Sequence, residues 1–168
     1  MEKSKKNEKG LNKILFLGEI GPNGWQDDFI ATPAQCEKIA ERFEIPKVKE
    51  LRTHVRAIID GDLIRVSGHL DAVLDRVCVV SLEIFEEKLN TDFEALFAED
   101  IPFLKEGEMH DDIEPIEKGR LDIFEIIAEQ VGLNMSSFPH KPGVQGDYIE
   151  DKTENRPFAN LKNLIKKD

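Results

Sequence analysis

The residues of this chain best able to do chemistry are the run Cys78-Val79-Val80-Ser81, the histidines His54 and His69 upstream of it, and an acidic cluster around His110-Asp111-Asp112. Cys78 and Ser81 have the spacing of a zinc knuckle. A structural zinc site takes four Cys or His ligands arranged tetrahedrally. Ser81 is a poor ligand, and even with His54 and His69 near in space the count falls short. No metal is expected, and the run reads as a strand crossover with a buried or half-buried Cys78. Glu106, Glu108 and Glu114 join the His110 cluster in a set that could hold magnesium as a nuclease does, through hard oxygen ligands. Pro102, Gly107 and Pro115 break that segment and deny its carboxylates a fixed geometry. A solvated acidic loop over 99–117 is therefore expected. His140 beside Lys141 could touch a phosphate, and a polar loop explains the pair equally well. The chain holds no phosphate-binding glycine loop, nucleophile elbow or HExxH. It is not expected to be an enzyme, and it implies no cofactor.

These residues must be positioned by strands. From Leu63 onward, Ile64, Val66, Leu70, Ala72 and Leu74 recur at every second place, with Arg65, Ser67, His69, Asp71 and Asp75 in most of the gaps. That is the period of a half-buried strand, whose side chains alternate between faces. After a join at Arg76–Leu82, Phe85, Glu87, Leu89, Thr91, Phe93 and Ala95 share a second strand's face. Gly68 suggests a bulge or a close backbone approach. An earlier strand carries Leu51, Thr53, Val55, Ala57 and Ile59, and Asp60-Gly61-Asp62 supplies its turn. Short strands are expected at Ile14–Leu17, on an edge, and at Trp25–Ile30.

Two helices can cover the sheet's dry face. Thr32, Pro33 and Gln35 make an N-cap, a first helical position and a capping box. Cys36, Ile39, Ala40 and Phe43 then form one apolar face, and Pro46 stops the helix. Asp122 and Glu125 make a second capping box before Ile123, Ile126, Ile127 and Val131, and Gly132 or Asn134 can end that helix. The expected fold class is α+β: an antiparallel β-meander of about four to six strands, covered by these two helices, with a short C-terminal helix opened by Pro157.

The 168 residues with a net charge of −11 fit one domain with modest tails. Such a charge argues against coating nucleic acid, which needs clustered Lys and Arg. No run of eighteen apolar residues occurs, so no membrane span is expected. Two cysteines fit a reducing compartment, and the chain reads as cytoplasmic. Residues 1–12 read as a disordered basic tail, 13–142 as the single domain, and 143–168 as a flexible loop with a basic amphipathic segment. That last segment joins the apolar Phe158, Leu161 and Leu164 to Arg156, Pro157, Lys162, Lys166 and Lys167, as a docking element would.

The order of four stretches, ATPAQCEKIAERF, VSGHLDAVLDRVCVVSLEIFE, EPIEKGRLDIFEIIAEQVGLNMSSFPHKPG and RPFANLKNL, resembles the YceD family, whose members are described as large ribosomal RNA subunit accumulation proteins. The likeness covers roughly Trp25 to Ile165. Many members carry CxxC at the crossover, where this chain has Cys78 and Ser81. Their C-terminal pattern is Asn-Pro-Phe-Ala, where Arg156 here precedes Pro157. The resemblance implies a role in 23S rRNA accumulation or maturation during large-subunit assembly, with no established catalytic activity. On this reading the chain is a non-catalytic assembly factor. Its partner is a precursor of the large ribosomal subunit, met through rRNA, a ribosomal protein or both, and neither DNA nor a membrane is a partner. Two other classes fit the residues: a general protein-binding module using the acidic loop 99–117, and a metal-dependent RNA-processing nuclease using the same carboxylates.

Overall fold

A computed structural model describes residues 10–11, 13–99 and 113–144. The alternating pattern produces three long strands, β3 (Lys47–Asp60), β4 (Leu63–Val77) and β5 (Ile84–Ala98), joined as a meander. Two shorter strands flank them: β2 (Trp25–Ile30) pairs with β3, and β6 (Ile113–Pro115) pairs with β5. The sheet order is β2-β3-β4-β5-β6. All neighbours run antiparallel except β5 and β6, which are parallel.

Three expectations are corrected here. The segment 99–117 is not loop throughout, because Ile113–Pro115 extends the sheet and Ile116 is buried just after it. The strand at Ile14–Phe16 (β1) does not edge the main sheet; it pairs with β7 (Arg120–Asp122) in a separate two-stranded sheet. The basic tail ends earlier than residue 12, since Leu11 is fully buried and its N–H donates to Gln35 Oε1 at 3.1 Å. The expected C-terminal helix lies outside the described residues.

Helix α1 (Pro33–Arg42) starts as its residues dictate: Gln35 N–H donates to the Thr32 hydroxyl, and Gln35 Oε1 accepts from the Thr32 N–H at 2.9 Å. Helix α2 (Ile123–Asn134) is capped by Asp122, which accepts from the N–H groups of Phe124 and Glu125. The reciprocal half of the second capping box is not made. The Glu125 carboxylate instead takes Arg42 of α1 at 2.6 Å and ties the two helices together. The main core lies between these helices and the sheet's inner face, where Leu51, Val55, Val66, Leu70, Leu74, Ile123, Ile127 and Val131 are fully buried.

Two glycines permit this packing. Register is unbroken at Gly68, which pairs with Val55, so no bulge sits there. A β-carbon at Gly68 would stand 2.0 Å from the His54 carbonyl oxygen and 2.8 Å from the Phe93 ring. Gly68 therefore marks a close approach, and the sheet's one irregularity in this pairing lies between Val48 and Glu50. Gly132 does not end α2. A β-carbon there would meet the Phe43 ring at 2.5 Å, so the missing side chain makes room for that ring between the helices.

Candidate functional site

The crossover forms where β4 runs out. Val77 and Ile84 are the last cross-strand pair, and the turn between them closes through Cys78 N–H to Glu83 O and Leu82 N–H to Cys78 O, both 2.9 Å. Leu82 takes a left-handed conformation, with φ of +59°. Cys78 is fully buried. Its sulfur accepts the Ser81 N–H at 3.4 Å. The Lys141 N–H, then the hydroxyl and N–H of Ser81 and the N–H of Val80, outweigh burial and hold the thiol down at about 6. Backbone donors thus favour the thiolate, as they do for any anion.

The residues after α2 are fastened to this turn. Arg76 reaches Glu87 at 2.6 Å and the Ser136 carbonyl at 2.9 Å, and Ser136 N–H donates to the other Glu87 oxygen. Val79 N–H donates to Pro139 O at 2.9 Å, and Lys141 Nζ pairs with Glu83 at 2.8 Å. The chain is thereby held to the crossover from Ser136 to Lys141. None of these links was read from the sequence: the Val79–Pro139 bond joins backbone atoms sixty residues apart and leaves no trace in side-chain type, and the ion pairs of Arg76 and Lys141 need the fold to bring their partners close.

Ser81 acts as a donor to the sulfur, and no group of three or more His, Cys, Asp or Glu among the described residues could hold a metal ion. His54 and His69 do come together, as direct cross-strand partners on the wet face, but Cys78 lies nine residues further along the chain from His69, roughly 30 Å away. Each imidazole is oriented by a carboxylate: His54 Nδ1 by Asp28 at 2.8 Å and His69 Nδ1 by Asp92 at 2.7 Å. The result is a row, Asp28–His54–His69–Asp92, across four strands. The Asp92 hydrogen bond raises the His69 pKa, helped by Asp71. His140 is occupied locally, with Nδ1 2.7 Å from the Phe138 carbonyl.

Of the acidic cluster, His110, Asp111, Asp112, Glu106 and Glu108 lie outside the described residues. Glu114 sits on β6, where burial, and then Glu129, push its carboxyl up. Arg156, Pro157, Phe158, Leu161, Lys162, Leu164, Lys166 and Lys167 also lie outside the described residues. No helix among the described residues is long and apolar enough to cross a membrane.

The order of these pieces has a counterpart. The family described as "Large ribosomal RNA subunit accumulation protein YceD" matches residues 66–165, well over half of the chain. The chain belongs to the YceD family. The match opens inside β4 and takes in the crossover, β5, α2, the fastened residues after it and most of the C-terminal segment. Helix α1 and strands β1 to β3 precede it, so the likeness read from ATPAQCEKIAERF lies outside the matched span. Comparisons with curated proteins and with solved structures found no match.

Proposed function

We propose that this YceD-family chain is a non-catalytic, cytoplasmic assembly factor that supports 23S rRNA accumulation by binding a precursor of the large ribosomal subunit. The single observation that carries this reading is the family match over residues 66–165, which ties the chain at family level to large-subunit rRNA. The match also runs through Phe158, Leu161 and Leu164, which supports the segment 155–167 as the recognition element. That segment has the chemistry recognition needs, with apolar anchors at helical spacing for a groove, and Arg156, Lys162, Lys166 and Lys167 for phosphates or acidic side chains. The crossover contributes by fixing where the chain departs toward that segment, through Val79–Pro139 and Lys141–Glu83.

Sucrose-gradient profiles of a depletion strain test the proposal. The expected result is a deficit of mature large subunits, accumulation of their precursors and co-sedimentation of the protein with those precursors. Normal profiles, or metal-dependent RNA cleavage by the purified protein, would overturn it.

A further inference from the structure

The crossover end of the sheet is an apolar surface that no described element covers. Val77, Val79, Val80, Leu82, Ile84 and Phe138 are all exposed there, Leu82 at 75% and Phe138 at 74%. They are neighbours by construction: Val77 and Ile84 pair across the strands, Val79 bonds to the residue after Phe138, and Leu82 closes the turn. The turn holds Leu82 outward in the left-handed backbone region, which disfavours residues with a β-carbon. Grouped exposed apolar side chains of this kind mark a binding surface.

The geometry points to an occupant within the chain: the segment 156–165 seats on this surface and is released when a large-subunit precursor takes it. The inference rests on the docking reading above and adds its regulation. Three observations select this occupant. The chain is pinned to the surface at Pro139 and Lys141, and its last described residue, Val144, turns back with its N–H on Lys141 O at 3.1 Å. Only eleven residues, 145–155, then separate the pinned end from Arg156. Such a linker extends to at most roughly 40 Å and keeps the segment at about millimolar effective concentration beside the surface. The segment's apolar face, Phe158, Leu161 and Leu164, matches the surface in character. The acids beside that surface, Glu83 and Glu86, are already held by Lys141 and Lys49, so the match is an apolar one.

Methyl NMR on the full-length chain tests the seat directly. Leu161→Asp is expected to shift the methyl resonances of Val79, Val80, Leu82 and Ile84 while leaving those of the core residues Leu51 and Leu70 in place. Unmoved surface methyls would overturn the inference, as would shifts that grow with protein concentration, which would make a second copy the occupant. Leu82→Glu, at an exposed position outside the core, is expected to free the segment and tighten precursor co-sedimentation by a factor on the order of 3–10, the reciprocal of the open fraction. Unchanged or weakened co-sedimentation of that variant would count against release. If the methyls shift but neither chain co-sediments, the seat stands and the docking reading falls; if both chains co-sediment equally and the methyls stay, the reverse holds.

Discussion

Cys78 and His69 show how position alone sets a side chain's behaviour. The thiol's folded pKa of about 6 lies below its ordinary 9.0, so ionisation at Cys78 contributes stability that is complete above about pH 9 and is lost as pH falls toward 6. Cys78→Ala is expected to flatten that part of the stability profile, and thiolate ultraviolet absorbance should titrate near the lower value. Titration near 9 would show that the amide donors do not reach the sulfur. His69 has the opposite sign. Its folded pKa is raised above 6.5 by Asp92, so its contribution is present below 6.5 and disappears as pH rises through the folded value. Asp92→Asn should bring the His69 pKa back down in an NMR titration. Gly68 allows a steric test of the same kind. In Gly68→Ala the new methyl meets a backbone carbonyl that cannot swing away, and a loss of about 1–3 kcal/mol is expected in denaturant unfolding. A variant as stable as the parent would show that the strands can part there.

At the scale of elements, α2 is the most consequential single piece. Ile127 is fully buried at the centre of its apolar face, and Ile127→Asp would place an unpaired carboxylate there at a cost of several kcal/mol, of the order of a domain's whole stability. Insoluble or unfolded protein is expected, and a soluble variant with an unchanged Tm would contradict this core. Gly132 on the same helix supports a double-mutant test. Gly132→Ala gains helix propensity of about 1 kcal/mol but drives a methyl against the Phe43 ring. It should destabilise the parent chain and stabilise a Phe43→Ala background, and equal effects in both would remove the steric explanation. The long strands, both helices and the Thr32 and Asp122 caps were legible in the sequence, because period-two and period-3.6 patterns and cap residues are local signals. β6 was not, since Ile113-Glu114-Pro115 is three residues long, contains a proline, sits among acids and returns parallel to the strand before it. The small β1–β7 sheet and the burial of Leu11 likewise depend on partners distant in sequence. At the site, the Cys78–Ser81 crossover was legible as a turn with a buried cysteine. The amide cradle and the fastening of 136–141 were not, because they are made largely by backbone atoms.

At the scale of the whole molecule, the proposed role of the C-terminal segment is tested against the described core. Its buried apolar members run from Leu11 to Val131, and the sheet and both covering helices are complete before Val144. Deleting residues 156–168 should therefore leave a folded domain whose Tm falls by no more than about 2–4 °C, the shift that ~1 kcal/mol makes in a protein of this size. A Phe158 that filled a core pocket would cost more, since losing a buried phenylalanine side chain removes about 3–5 kcal/mol and would lower Tm several times as far. The same truncated protein should lose co-sedimentation with large-subunit precursors, because the deletion takes away both the apolar anchors and the cations. In the full-length protein, raising salt should weaken that binding progressively, as Lys162, Lys166 and Lys167 lose screened contacts with phosphates or acidic groups. Thermal unfolding and co-sedimentation measured on one preparation decide the matter. A truncated chain that is stable and no longer binds makes the segment the recognition element. One that unfolds early makes it part of the core, and one that is stable and still binds moves recognition elsewhere on the molecule.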